Sequence, residues 1–315
     1  MKWTIAAYLL YLLLQDHAPD QHNGGLTVTH EGKPVSSLSL NAHRLPVFPL
    51  LDMEKYNRWV NELDRKTYTE PVNARIGGNG QIVPGQNGHK LDRREFMKRY
   101  YDVLYGGGPA SIEVPVYPVY PKVDTELLAS LRAQQIGYYV TYYNAGNIDR
   151  SHNIALAAKA IDGTVVFPGE TFSFNRVVGI RTTGKGYRQA TVIVRGELSE
   201  GIGGGICQVS STLFNAADRA GLSIVQRYSH SRHVPYVPPG RDATVSWGGP
   251  DFVFKNAYNQ PVLIRAFAGG GRVGVSVHSS DVIEYMPRKV PSMSHRLPEE
   301  IREAPTLPIP ANGKK

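Results

Sequence analysis

Cys207 is the only cysteine in the 315-residue chain and the side chain best suited to nucleophilic chemistry. Three glycines, residues 203–205, stand just before it, and apolar residues recur at helical spacing from Ile206 to Ala220. The spacing predicts a helix that begins at about residue 206 and carries Cys207 in its first turn. Unpaired backbone N–H groups and the positive end of the helix dipole favour a thiolate there.

The glycines before Cys207 could also take part in chemistry. Gly204 and Gly205 have no side chain, so a substrate can approach the backbone closely, and their amides together with that of Cys207 can receive an oxyanion. The same pattern fits a small residue buried at a tight contact between a helix and a sheet. The residues alone leave both interpretations open.

A thiol nucleophile needs a base, and two histidines follow the predicted helix in the run RYSHSRHVPYVPPGRDATV. His230 and His233 are far enough along the chain for it to turn back beside the helix start. Asp242 is predicted to lie on a strand, because residues 242–247 alternate in polarity, and it can orient an imidazole. A surface histidine is the plainer alternative. No acidic cluster accompanies the histidine pair, so neither a metal nor a cofactor is predicted.

Composition limits the kinds of partner and bound group that we expect. The formal net charge is +8, which suits an anionic partner such as nucleic acid, an anionic lipid or an anionic wall polymer. No nucleic-acid-binding signature occurs, so nucleic acid is not an expected partner. A single cysteine excludes an intrachain disulfide and a cysteine-based zinc site.

The order of predicted elements indicates an α+β fold with an antiparallel sheet, and a smaller α+β domain before it. Helices are predicted at residues 51–66 and after Asp92, and a hairpin joins strands around Ile264 and Val275. Four parts follow in chain order: a signal peptide or short membrane anchor at 1–25, a domain at 26–125, the main domain at 126–285 and a Pro-rich tail at 286–315.

The N-terminus predicts export. Lys2 precedes the apolar run from Trp3 to Leu14, which is shorter than the ~20 residues of a membrane-spanning helix. A cleaved signal and a retained anchor both remain open, and either places the chain outside the membrane.

Two stretches resemble known families. Residues 60–125, through NARIGGNGQIVPGQNGHKLDRREF, resemble a peptidoglycan-binding domain often found before VanW domains. Residues 147–264 closely resemble the VanW domain itself, named for its association with vancomycin-resistance gene clusters. The matching pieces are RSHNIALAAKAIDGTVVFPGETFSFN, VVGIRTTGKGY, GGGICQVSSTLFNAA, RYSHS, VPYVPPGRDATV and DFVFKN.

The resemblance implies a Gram-positive-type envelope setting and peptidoglycan stem peptides as partners. Some members look like L,D-transpeptidases that use a cysteine. On that basis Cys207 is the expected nucleophile, His230 the base and Asp242 its orienting group, while His233 lies outside the motif pieces and ranks second. A non-enzymatic wall-binding protein, supporting envelope assembly or glycopeptide tolerance, is the alternative.

Substrate contacts follow from the same expectation. A guanidinium matches a carboxylate in a bidentate manner, so arginines near the motifs are candidates for stem carboxylates. The expected substrate-binding residues are Gly204, Gly205, Gln208, Arg181, Arg188 and Arg241. Neither stem preference nor oligomeric state follows from the sequence.

Overall fold

A computed structural model describes residues 25–45, 50–106, 110–194 and 197–294. The predicted signal or anchor and most of the Pro-rich tail lie outside the described residues. The described residues form two compact units. The first contains those up to Asn73 and those within Gly85–Lys122, and the second contains Ala74–Pro84 and those from Val123 onward. In the described part of the chain, no helix is long and apolar enough to span a membrane.

Six helices are used below, numbered in chain order: α1 Met53–Thr67, α2 Arg93–Gly106, α3 Thr125–Ser130, α4 Ile148–Ile161, α5 Phe174–Val178 and α6 Ile206–Arg219. The strands are β1 Gly25–His30, β2 Lys33–Ser39, β3 Arg75–Ile76, β4 Ile82–Val83, β5 Gly88–Leu91, β6 Ser111–Glu113, β7 Val116–Val119, β8 Gln134–Tyr142, β9 Val165–Val166, β10 Thr171–Ser173, β11 Gln189–Val194, β12 Glu197–Ile202, β13 Ser223–Gln226, β14 Val253–Lys255, β15 Val262–Gly269 and β16 Arg272–Ser279. Nearly all strand pairs are antiparallel, so the predicted α+β class is confirmed; β1 with β6 is the parallel pair.

The first unit packs α1 and α2 around a small sheet in which β1 lies between β2 and β6. Helix α1 begins where the Asp52 carboxylate accepts a hydrogen bond from the Lys55 N–H at 3.1 Å. Asp92 caps α2 in the same way by accepting from the Glu95 N–H at 3.0 Å, so the predicted helix start is confirmed.

The second unit is built on a four-stranded sheet in the order β8-β16-β15-β9. Helix α6 packs against β8 and α4 packs against β15. Gly137 on β8 permits the close approach of α6, because a Cβ there would stand 2.4 Å from the Ala216 carbonyl oxygen. The predicted β15–β16 hairpin is present, with Ile264 opposite Val277.

The predicted strand at 242–247 is wrong, because those residues form no ladder. Their backbone groups bond instead to helix side chains and loops. The Ala243 N–H donates to Ser211 Oγ at 2.8 Å, and the Ala243 carbonyl accepts from Ser210 Oγ at 2.5 Å. The segment is therefore held against the first two turns of α6, which places Asp242 near Cys207 by a route other than a sheet.

Candidate active site

The glycines before α6 fix the position of Cys207. Gly205 is the N-cap with φ 103°, a left-handed value that favours glycine, and no side chain caps the helix. A Cβ on Gly205 would stand 2.9 Å from Arg150 Cγ, and one on Gly204 would stand 2.6 Å from the Ala190 carbonyl. Packing within the protein therefore requires these glycines. Cys207 lies in the first turn of the helix, as predicted.

His230 and Asp242 are in direct contact, although neither lies in a helix or a strand. Asp242 Oδ2 accepts hydrogen bonds from the His230 backbone N–H at 2.6 Å and from His230 Nδ1 at 2.7 Å. This double contact fixes both the backbone and the ring, and it leaves Nε2 as the ring nitrogen available to another group. The His230 ring is edge-on to buried Tyr236, with 6.5 Å between ring centres.

Cys207 meets this pair at the start of α6. Its sulfur lies 3.5 Å from the Val245 carbonyl oxygen and 3.7 Å from Thr244 Oγ1. Burial acts to raise the pKa of the Cys207 thiol, but the hydrogen bond and charge of His230, together with hydrogen bonds at Val245 and Thr244, lower that pKa below its usual value. The structure therefore brings together the three residues predicted to act as nucleophile, base and orienting group.

The charges of the three groups are coupled. Burial alone would lower the pKa of His230, yet its hydrogen bonds to Asp242 and Cys207 raise that pKa to about 9. Burial opposes ionisation of Asp242, but hydrogen bonds from His230 lower its pKa to about 2. These shifts favour a thiolate beside an imidazolium, with the Asp242 carboxylate ionised.

The site is enclosed but not sealed. The His230 side chain is 5% exposed, whereas Cys207 is partly exposed. A cavity of about 280 Å³ lies beside the histidine and is lined by His230, Asp242, Arg232 and His233 among others. His233 is exposed, and the Asp242 contacts belong to His230, so the geometry favours His230 as the base.

The three arginines predicted to bind stem carboxylates differ in their contacts within the protein. Arg188 makes an exposed ion pair with Asp149 at 3.0 Å. Arg241 stacks over Phe214, with its carbon Cζ 4.5 Å from the ring centre, and bonds to Asp218 at 2.7 Å. Both guanidinium groups therefore have partners within the protein.

Arg181 is the exception among the three. Its two terminal nitrogens, Nη1 and Nη2, are buried and have no hydrogen-bond partner within the described residues. Its Cβ packs beside Gly203, and its guanidinium stands 5.8 Å from the centre of the Phe174 ring. Burial lowers the pKa of Arg181, while the charges of Tyr187 and Cys207 act in the opposite direction. A buried guanidinium is therefore left incompletely paired near the thiol.

Gln208 is fully engaged inside the protein. Its Nε2 donates to Thr141 Oγ1 and to the Tyr142 carbonyl, both at 3.0 Å, and its Oε1 accepts from Arg150 at 2.7 Å. These contacts tie the first turn of α6 to β8 and α4. Gln208 therefore positions Cys207 and is not retained as a substrate contact.

Arg227 was missed by sequence reasoning. Its Nε donates to the Asp242 carbonyl at 2.6 Å, and its Nη2 donates to the Gly240 carbonyl at 2.7 Å. It thereby holds the backbone that carries the orienting carboxylate. The adjacency of Arg227 to the RYSHS histidine motif was the signal available, but its partners come from a distant loop.

Comparisons with known proteins identify two domains in the chain. Residues 149–278 match the family described as "VanW like protein", and residues 25–113 match the one described as "Putative peptidoglycan binding domain". The chain is 58% identical over 294 residues to the uncharacterized protein YoaR of Bacillus subtilis, covering 93% of this chain and 96% of that protein.

A second relative is more distant. The vancomycin B-type resistance protein VanW of Enterococcus faecalis is 37% identical over 111 residues, which is 33% of this chain and 40% of that protein. No solved structure matches the chain. The chain is a peptidoglycan-related protein of the cell envelope, and it belongs to the family of VanW-like proteins.

Proposed function

We propose that this protein is a cysteine-dependent L,D-transpeptidase that forms 3→3 cross-links in peptidoglycan. The observation that carries the proposal is the contact of Cys207, His230 and Asp242 at the glycine-capped start of α6. A polarised thiol, a base and a fixed carboxylate are the groups that acyl transfer through a thioester requires.

Acylation begins with the Cys207 thiolate, which attacks the carbonyl carbon before the terminal D-alanine of a tetrapeptide stem. A C–S bond forms and the carbonyl oxygen becomes an oxyanion. The C–N bond then breaks, and the His230 imidazolium gives its proton to the departing D-alanine amine. The products of this half-reaction are free D-alanine and a thioester on Cys207.

In deacylation, His230 changes from proton donor to proton acceptor. A side-chain amine of a neighbouring stem attacks the thioester carbonyl, and His230 accepts a proton from that amine. The C–S bond breaks, which returns the thiolate and leaves a new amide as the 3→3 cross-link. No oxidant, reductant or cofactor is needed for either half-reaction.

The oxyanion requires hydrogen-bond donors at the helix start. The Ile206 and Gln208 amides donate to the Gly203 and Gly205 carbonyls, at 3.3 and 3.0 Å. Because those two amides already have acceptors, we assign the oxyanion to the amides of Gly204, Gly205 and Cys207.

Arg181 is the proposed contact for a carboxylate of the donor stem. Its buried terminal nitrogens have no hydrogen-bond partner among the residues that the structure describes, and an incoming carboxylate would supply two acceptors in the geometry a guanidinium prefers. Arg188 and Arg241 are already paired and are not needed for this role.

The proposed function also requires that the chain is exported and that it binds the cell wall. The apolar run Trp3–Leu14 would deliver the chain across the membrane, where peptidoglycan lies. The first unit would then hold the protein on the wall, as its family match suggests. The net charge of +8 on the full chain suits an anionic envelope.

That family match also favours a second candidate, a non-enzymatic wall-binding protein. In this alternative Cys207 is a packing residue, and the chain supports envelope assembly or glycopeptide tolerance, as the name of the Enterococcus faecalis relative suggests.

Product analysis separates the two candidates. Wild-type protein incubated with tetrapeptide muropeptides should release D-alanine and form 3→3 dimers, and Cys207→Ala should do neither. If both proteins are inert but both sediment with purified sacculi, the wall-binding alternative is the better account.

A further inference from the structure

A second cluster of ligand-type side chains lies in the first unit, outside the catalytic machinery. His30 ends β1, Glu31 follows it in the turn to β2, and His89 belongs to β5. Each offers one ligand atom, and these atoms lie within 4.8 Å of one another. Two neighbouring residues and a third from a distant strand therefore converge on one point.

The distance between the two histidines matches metal ligation. His30 Nε2 and His89 Nε2 are 3.1 Å apart. Two imidazole nitrogens at 2.0–2.1 Å from a tetrahedral zinc ion stand ~3.3 Å from each other. The rings are tilted by 57°, so they do not stack face to face. A hydrogen bond between the rings would also give this distance, but it would not explain the carboxylate beside them.

Glu31 occupies an unusual backbone position. Its φ is +51° and that of Gly32 is +73°, and His30 pairs with Lys33, so the two form the loop of a tight hairpin. Asparagine, aspartate or glycine is preferred at the first position of such a loop, because a longer side chain in the left-handed region costs about 1 kcal/mol. Here a glutamate occupies that position, and its carboxylate lies beside two imidazoles.

The turn is held in place by a second carboxylate. Glu113 Oε1 accepts a hydrogen bond from the Glu31 N–H at 2.7 Å, and Glu113 Oε2 accepts one from Thr29 Oγ1. These contacts fix the backbone of the turn that carries Glu31. Thr69 Oγ1 also lies 3.1 Å from His89 Nε2, the nitrogen that would face the ion, so an ion must displace this contact when it binds.

We propose that His30, Glu31 and His89 bind a zinc-type divalent cation. Two neutral imidazoles and one carboxylate form a ligand set suited to zinc, with a fourth position open to water. Glu31 is exposed and both histidines are partly exposed, so an ion can enter from solvent. The bound ion would tie the β1–β2 turn to β5 and stiffen the first unit.

Zinc titration of the full chain tests this proposal, using protein that carries no affinity tag and has been stripped with a chelator. Wild type should bind one equivalent of zinc, and its thermal midpoint should rise on binding. His30→Gln and His89→Gln should lower zinc affinity by more than about tenfold. Glu31→Gln, at an exposed turn, should weaken binding without any risk to the fold.

Two controls make the result decisive. His152→Gln removes a histidine of the second unit whose Nε2 lies 2.9 Å from the Gly186 carbonyl, and zinc binding should be unchanged. Cys207→Ala removes the single thiol of the chain, a strong zinc ligand, and should also bind normally. Absence of binding by wild type, or equal binding by His89→Gln, overturns the proposal. So does binding that is lost only in Cys207→Ala.

Discussion

At the residue scale, the residues proposed as nucleophile, base and orienting group could be singled out because the first is unique in the chain and the other two lie close together in sequence. Cys207 is the only thiol, and His230 and Asp242 follow in one short run. What sequence could not supply was the state of each arginine. Nothing in the sequence distinguishes Arg181 from Arg188 and Arg241. Packing in the described part of the chain shows that the terminal nitrogens of Arg181 are buried without hydrogen-bond partners there.

The assignment of the base is tested by alkylation of Cys207 with iodoacetamide as pH is varied. In His230→Ala the hydrogen bond and charge that lower the thiol pKa are removed, while burial, which raises it, remains. The midpoint of the rate curve should move to higher pH. In the matched variant His233→Ala, an exposed residue, the curve should stay in place. The opposite pattern would exchange the two histidines.

Arg181→Gln should separate binding from stability. Loss of the guanidinium should raise KM for the tetrapeptide donor about 10- to 100-fold, with a smaller change in kcat. The ligand-free variant should melt at the same or a higher temperature, because an unpaired buried charge is costly. Arg188→Gln, at an exposed ion pair, is the control and should behave as wild type. A lower melting temperature with unchanged KM would make Arg181 a structural residue.

At the element scale, helices with clear apolar spacing or a local capping pattern were predictable, and α1, α2 and α6 begin near the predicted residues. The segment 242–247 was not, because its alternation in polarity is real but its hydrogen-bond partners are not another strand. Ser210 and Ser211, on a helix distant in sequence, take the backbone groups that a neighbouring strand would have taken. A local pattern cannot reveal partners of that kind.

The start of α6 offers a direct test of the positioning argument. Gly205→Ala forces a side chain into a left-handed conformation and against Arg150 and Ile154, so unfolding should become easier by about 1–3 kcal/mol or more. Alkylation of Cys207 should also slow, because the helix start must shift. Gly78→Ala is the control, since a Cβ there meets nothing within 4 Å. Denaturant unfolding that is unchanged in Gly205→Ala would contradict this account of the glycine.

At the scale of the whole molecule, the two units correspond to the two family matches, and the α+β class was predictable from element order. The sequence did not reveal to which unit the β3–β4 hairpin belongs. Residues 74–84 interrupt the first unit along the chain but pack with the second, around Ala74, Leu128 and Leu263. Such an excursion depends on contacts between distant parts of the chain.

The coupled charges predict how stability depends on pH. The pKa of Asp242 falls from 3.8 to about 2 on folding, so its contribution of ~2 kcal/mol is present above pH 4 and lost as pH falls through 2. The pKa of His230 rises from 6.5 to about 9, so its contribution is present below pH 6.5 and lost as pH rises through 9. Unfolding curves of Asp242→Asn should lack the acidic loss, and an identical acid profile would contradict the assignment.

The central claim is that Cys207 carries the donor stem as a thioester, and intact-protein mass spectrometry tests it most directly. Wild type mixed with a tetrapeptide donor, with no acceptor present, should gain the mass of the donor minus D-alanine. The adduct should disappear on addition of hydroxylamine, which cleaves thioesters, and Cys207→Ala should show none. Release of D-alanine and cross-linking by Cys207→Ala, or an adduct of the same mass on that variant, would contradict the account.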